Sequence, residues 1–341
     1  MELYLDSVDF KEIEEAFKWG YLYGLTTTPT FMHKHGITDI DGAILKLSKM
    51  VPVLHVEALG DTAEDILKEA KRLLALGLDK DKTYFKIPVS AEGLRACKLL
   101  KDNGLHVNLH LVYTLNQAYL AMQAGADYVC VLVGRYQDQG NDPLVLINQC
   151  LAAIDRYGYD SKVMFSSVRT ADHVRTAFDM GVHTVTIPWS VMKKLPDNHF
   201  TTVGTDQFVE HTKLMTVRVR EVIREENPTV ALTDTIQDAI IKMTESKLGA
   251  VSVLQANGDL KGIFTDGDVR RHLKESGKAL LDKKMGDFTY SEAITVSADA
   301  LLYDAVNIFT KKQVDNIIVL DNNKPSGILD IQDFVKMGLV G

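Results

Sequence analysis

From Met1 to about Met215, short apolar runs alternate with amphipathic stretches. Four to eight apolar or β-branched residues in a row read as a strand, and a 3.6-residue period reads as a helix. This predicts strands at LYLDS (3–7), LTTTPT (25–30), PVLHVEAL (52–59), TYFKIPV (83–89), VNLHLVY (107–113), YVCVLVG (128–134), KVMFSSV (162–168) and TVTIPW (184–189). Helical segments such as 62–77 and 90–104 lie between them, with Thr62 and Ser90 placed to cap and Gly77 and Gly104 placed to stop. Strand–helix alternation fits a doubly wound open sheet or a closed barrel. Eight such units within residues 1–215 favour an α/β fold of the (β/α)8 TIM-barrel kind.

Residues 216–341 follow another pattern, an internal repeat. IQDAIIKMTESKLGAVSVL (236–254) aligns with LYDAVNIFTKKQVDNIIVL (302–320), and GIFTDGD (262–268) with GILDIQD (327–333). Each copy reads helix, strand, turn, strand, helix, with hairpin-like turns at QANGD (255–259) and DNNKP (321–325). The expected organisation is a barrel over 1–215 and an α+β module over 216–341, its copies near 219–275 and 280–341. TVRVREVIREENP (216–228) is expected to be linker plus the approach to the first copy.

Composition narrows the function. Hydrophobic residues make up 46% and charged residues 25%, the mix of a folded globular chain. With 38 basic against 46 acidic residues, the net charge of -8 argues against a nucleic-acid partner. No apolar run is long enough for a membrane span. MELYLDSVDF carries Asp6 and Asp9 and lacks the basic start of a signal peptide. Cys97, Cys130 and Cys150 are too few and too scattered for a disulfide framework or zinc cluster. The expected compartment is the cytoplasm.

Polar residues in strands that should be apolar mark candidate chemistry. Lys86 sits between Phe85 and Ile87. A strand of a parallel sheet is covered on both faces, so a lysine there would be desolvated. Desolvation disfavours the ammonium form and yields an amine able to form a Schiff base. The other reading is a strand-end lysine that snorkels to solvent. Asp6, Thr26, Thr28, Glu57, Asn108, His110, Arg135, Ser167 and Arg169 fall at the same ends of neighbouring strands. Singly, Asp6 reads equally as a helix cap, Asn108 as a turn former and His110 as a core histidine. Jointly they suggest a lysine nucleophile, acid–base carboxylates and a phosphate site.

Residues 1–215 resemble the transaldolase family, in particular its short branch that includes fructose-6-phosphate aldolase. The resemblance rests on MELYLDS, GLTTTPT, FKIPVSAEGLRA, VNLHLVYTLNQAYLAMQAGADYVCVLVGR, SSVRT and TIPWSVMKKL. It implies that Lys86 forms a Schiff base with a ketose, Asp6 serves as acid–base group and Glu57 positions the catalytic water. It further implies that Asn108 holds a donor hydroxyl, that Arg135, Ser167 and Arg169 bind the substrate phosphate, and that no cofactor or metal is required. Departures from the family pattern fall in the donor pocket. Its asparagine is Thr28, a threonine is His110, a Ser or Ala is Cys130 and an aromatic is Leu132. These changes suit a donor smaller than dihydroxyacetone, such as glycolaldehyde, with a pentose 5-phosphate such as arabinose 5-phosphate as product. The competing class is a barrel without catalysis that serves as a nucleotide-regulated binding protein.

The repeat resembles a tandem CBS pair. The resemblance implies a regulatory adenine nucleotide contacted by Thr265 and Asp268 in the first copy and by Asp333 in the second. In the second copy Asp330 replaces the hydroxyl and should repel phosphate. Both resemblances imply a homo-oligomer.

Overall fold

All eight expected runs form strands. They are β1 (Glu2–Asp6), β2 (Gly24–Thr26), β3 (Leu54–Glu57), β4 (Thr83–Pro88), β5 (His106–Val112), β6 (Tyr128–Leu132), β7 (Lys162–Ser166) and β8 (Thr184–Pro188). Neighbours pair in parallel in chain order, and β8 returns to β1 to close the barrel. The open-sheet alternative is excluded. The computed structural model describes residues 1–290 and 292–339. Ser291, Val340 and Gly341, which the expected second repeat includes, lie outside the described residues.

Several strands are shorter than their apolar runs, for local reasons. In LTTTPT the strand stops at Thr26, because Thr28 is the N-cap of the helix Pro29–Lys34 and accepts the Phe31 N–H, with Pro29 in the first helical turn. The crossover helices Ala63–Ala75 and Ala91–Asp102 begin at the expected caps, where Thr62 and Ser90 accept the N–H of Asp65 and Gly93. Strand alternation sends Leu5, Phe85, Ile87 and Phe165 outward into the helix layer, where they are fully buried. Tyr4, Tyr128, Cys130 and Met164 pack inside. The barrel is thus a filled core whose open end can carry a site.

The chain divides into two compact units, Met1–Asp197 and Asn198–Gly341. The division falls ahead of the helix His199–Thr216, earlier than residue 215. The reason is that Leu214 is buried among residues of the second unit, including Leu302 and Phe309. The described residues of that unit form two three-stranded sheets. One is β9 (Thr229–Ala231), β10 (Ala250–Leu254) and β11 (Leu260–Thr265); the other is β12 (Thr295–Ser297), β13 (Asn316–Asp321) and β14 (Lys324–Asp330). Each central strand pairs in parallel with the short first strand and antiparallel with the third. The short strands β9 and β12 are three residues each, too brief for a hydrophobic period to reveal. Asn322 and Asn323 take positive φ of 50° and 62° in the second hairpin, as a two-residue turn between twisted strands demands.

The segment 216–228 is more than a linker. Val219 is fully buried in the core that the second repeat builds around Phe309 and Phe334. Arg224 forms a two-point ion pair with Asp333 and also donates to the carbonyls of Ser246 and Lys247. Among the described residues no helix is long and apolar enough to cross a membrane.

Candidate active site

The inward positions at the C-terminal ends of the strands surround a cavity of about 620 Å³. Asp6 lines it from β1, Thr26 from β2 and Thr28 from the turn beyond. Glu57 and Lys86 enter from β3 and β4, and His110 and Cys130 from β5 and β6. Arg135, Ser167 and Arg169 come from the segments after β6 and β7. Glu57, Lys86 and Asn108 are register partners across β3, β4 and β5, and Pro88 is level with His110. Asn108 therefore lies one pleat below His110. It is fully buried, does not line the cavity, and donates to Nδ1 of His55 at 2.9 Å. The structure thus gathers every other barrel residue of the expected site and leaves Asn108 beneath it.

Lys86 is 4% exposed, so the snorkelling reading fails. Its amine is not bare either: Nζ donates to the Thr27 carbonyl at 2.6 Å and lies 2.9 Å from Oε1 of Glu57. The second Glu57 oxygen, Oε2, is 3.0 Å from Nε2 of His110. Distance brings these two atoms together, yet neither completes a well-aligned hydrogen bond. Glu57 joins Lys86 to His110 as a bridge.

Electrostatics separates the two carboxyls. Burial raises the Asp6 carboxyl above its ordinary value, against the lowering influence of Lys86 and of the hydroxyl of Thr26, which donates to Oδ1 at 3.0 Å. Burial also works to raise Glu57, but Lys86 and His110 outweigh it and hold that carboxyl below its ordinary value. His110 is lowered by burial, so its imidazole favours the neutral form. The Cys130 thiol is pushed up to about 11 by burial, which keeps it a thiol and not a nucleophile. Two carboxyls with opposite shifts in one cavity are the usual mark of divided acid and base duties.

Arg135 and Arg169 supply positive charge on the β6–β7 side. Arg169 is paired with Asp138, Nη1 to Oδ1 at 3.1 Å. Ser167 has a φ of 58°, rare for a residue with a side chain and a form of strain common at binding loops. Gly134 explains how this loop is accommodated. A Cβ on Gly134 would stand 2.2 Å from the Ser167 carbonyl oxygen and 3.0 Å from the Arg169 side chain. Only a glycine lets the two loops meet.

Sequence reasoning missed Thr186, whose hydroxyl is 2.5 Å from that of Thr26, and Ser166, Leu111 and Lys34, which also line the cavity. Thr186 carries a readable signal, a polar residue in the apolar run TVTIPW. Leu111 enters because of a register shift between Leu109 and Val112, with a φ of 60° at Leu111, which alternation does not foresee. Lys34 depends on where the helix Pro29–Lys34 begins. Among the described residues no group of His, Cys, Asp and Glu is placed to hold a metal ion.

In the second unit a cavity of about 610 Å³ lies between the repeats and is lined by Thr265. The other two expected nucleotide contacts do not line it. Asp268 is turned to the N–H and hydroxyl of Thr265, closing the capping box of the helix Asp266–Ser276, and Asp333 is held by Arg224. Asp266, Glu292, Asp315 and Asp330 line the cavity with Arg270.

Comparison with known proteins bears on both units. A family model described as transaldolase/fructose-6-phosphate aldolase matches residues 3–243, and one described as CBS domain matches residues 219–275 and 285–339. A protein of Streptococcus equi subsp. equi (strain 4047) named "Probable transaldolase" is 33% identical over 211 residues, 62% of this chain and 97% of that one. A "Probable transaldolase" of Methanococcus vannielii is 35% identical over 211 residues, 61% of this chain and 96% of its own. The solved CBS-domain containing protein ATU1752 of Agrobacterium tumefaciens aligns with 35% of this chain and 91% of its own, at 24% identity and a TM-score of 0.32.

Proposed function

The chain belongs to the transaldolase/fructose-6-phosphate aldolase family and carries a CBS pair, and on that premise we propose that it is a Schiff-base enzyme of sugar phosphates with Lys86 as nucleophile. One observation carries the reading. Lys86, the only strand lysine among the described residues that line the cavity, is buried beside a carboxylate, with Asp6 and two arginines facing the same space. Lys86 attacks a ketose carbonyl and forms an imine. The imine draws in the electrons of the C3–C4 bond as it breaks, leaving an enamine and an aldehyde. Asp6, as the carboxylate, takes the proton of the hydroxyl at the cleaved bond as the aldehyde forms and later returns it to the new hydroxyl or the enamine; its raised proton affinity makes it a fit acceptor. Arg135, Ser167 and Arg169 bind the phosphate of the leaving aldehyde. A second aldehyde then traps the enamine, giving transfer, or protonation and hydrolysis release it, giving lysis. Steady-state cleavage of fructose 6-phosphate, with and without an aldose phosphate acceptor, tests the reading. Turnover that survives Lys86→Met would contradict it.

A smaller donor is favoured by two features of the cavity. The Thr28 hydroxyl already accepts the Phe31 N–H at 3.3 Å, and the His110 ring takes space beside Glu57. Glycolaldehyde would then outpace dihydroxyacetone at matched acceptor concentration, with arabinose 5-phosphate among the products. Equal or faster turnover of dihydroxyacetone returns the enzyme to ordinary family chemistry.

The proposal extends to the CBS pair, where an adenine nucleotide reached by Thr265 regulates the barrel. Four carboxylates against one arginine in that cavity oppose a phosphate, so adenosine should bind at least as well as its monophosphate. Calorimetric titration of both decides this. Assembly as a cytoplasmic homo-oligomer is part of the same reading. Phe200 and Phe208, 82% and 73% exposed on the helix His199–Thr216, support an assembly face, and a monomer by light scattering would contradict it.

A further inference from the structure

The Lys86–Glu57 pair poses a chemical problem. In its ammonium form, the partner that a carboxylate 2.9 Å away calls for, Lys86 cannot attack until one proton has left it. Glu57 is the nearest acceptor, but its carboxyl is held below the ordinary range and is a poor place for a proton to rest. The next group on the path is His110. Its Nε2 is 3.0 Å from the Glu57 oxygen that does not face Lys86. Its ring lines the cavity in which a substrate would sit. Three titratable groups from adjacent strands β3, β4 and β5 therefore run in series, with the carboxylate in the middle.

Resting on the Schiff-base reading, we propose that His110 is a catalytic acid–base group, the far end of a Lys86–Glu57–His110 proton relay that serves imine formation. The proton balance is as follows. Lys86 gives one proton to Glu57, which passes it to neutral His110. The free amine adds its lone pair to the ketose carbonyl carbon, and a second amine proton moves to the carbonyl oxygen, giving a neutral carbinolamine. The imidazolium then protonates that hydroxyl. The C–O bond breaks, water leaves, and the nitrogen lone pair forms the C=N bond of a protonated imine. His110 ends neutral, and the single positive charge that began on Lys86 ends on the imine. Hydrolysis of the product imine uses the same steps in reverse.

The surroundings suit this duty. Besides Glu57, the charged groups that act on His110 are Lys86 and Arg135, both of which oppose its protonation. Of these groups Glu57 alone favours the imidazolium, which therefore gives its proton up readily to the carbinolamine. The imperfect alignment of His110 with Glu57 is compatible with this duty, since catalytic hydrogen bonds commonly tighten only in the complex with substrate.

Rapid-mixing borohydride trapping with fructose 6-phosphate as the probe, followed by intact-mass spectrometry, measures how fast the adduct forms. The unaltered protein, His110→Ala and His110→Gln are compared after thermal melting has shown that each variant is folded. The expected result is adduct formation about 100-fold slower in His110→Ala, the lower range for loss of a general acid–base group. The final extent of adduct is unchanged. Imidazole in the buffer restores part of the rate to His110→Ala, rising with its neutral fraction, and His110→Gln stays slow. Unchanged rates in both variants would overturn the proposal. So would a rate that His110→Gln restores and imidazole does not, because that is the pattern of a group that only positions Glu57. Absence of any adduct in the unaltered protein is a separate outcome, which overturns the Schiff-base reading and this proposal together.

Discussion

Asp6 and Glu57 face one cavity with opposite proton affinities: burial holds the Asp6 carboxyl above its ordinary value, and Lys86 holds that of Glu57 below. The contrast follows from placement. Glu57 lies 2.9 Å from the Lys86 amine, whereas the Asp6 side chain accepts a hydrogen bond from the neutral hydroxyl of Thr26.

The two carboxyls should affect stability with opposite signs. A carboxyl raised in the folded state binds protons more tightly there than in the unfolded chain. Ionising Asp6 therefore costs stability, and the cost is absent at pH below the ordinary carboxylate range and fully present above its raised value. Asp6→Asn should melt higher than the unaltered protein at neutral pH, with the gap closing as pH falls into the carboxylate range, while turnover drops about 100-fold or more. Glu57 is the reverse case. Its pairing stabilises above the ordinary range and is lost as pH falls through its depressed value. Glu57→Gln strands a buried lysine and should cost about 3–5 kcal/mol at neutral pH. Thermal melts across pH read both. Shifts of the same sign would contradict the account.

On the phosphate side, Arg135→Ala should raise KM for a phosphorylated ketose about 10- to 100-fold, as expected for one charged hydrogen bond, with a smaller change in kcat. The unphosphorylated sugar should be nearly indifferent to the change. Gly134→Ala should mimic it without removing any charge, since the added Cβ displaces the backbone of Ser167. Equal losses for both sugars would show that these residues do not read the phosphate.

In the second unit, Arg224→Ala removes a two-point ion pair to Asp333 and two carbonyl contacts from a partly buried side chain. It should lower the stability of that unit by about 1–3 kcal/mol. Calorimetry of the full chain, with its two units, reads this as a shift in one transition. Among the described residues Asp333 then keeps only the exposed Lys336 amine at 3.4 Å, so any adenosine affinity should not fall. A stability indistinguishable from the unaltered protein would show that the pair is only a surface contact.

Much of the barrel was legible because its strands are apolar on both faces, so a polar residue inside one stands out. Lys86 between Phe85 and Ile87 is the clearest instance. Alternation also tells which face a residue takes, but not its depth. Asn108 and His110 share a face, yet one lies under the cavity and the other beside Glu57. The repeat motif located Asp333 but could not name its partner. Arg224 lies 109 residues before Asp333, and no local pattern ties them. The place of the helix His199–Thr216 is not legible for a similar reason: it continues the barrel's rhythm, while Leu214 packs among residues of the second unit.

The central claim is the covalent role of Lys86, and the most direct measurement is peptide mapping of the protein reduced with borohydride in the presence of fructose 6-phosphate. The account predicts a single modified lysine, Lys86, and no modification in Lys86→Met. An adduct on another lysine such as Lys34, which also lines the cavity, or no adduct while turnover proceeds, would contradict it.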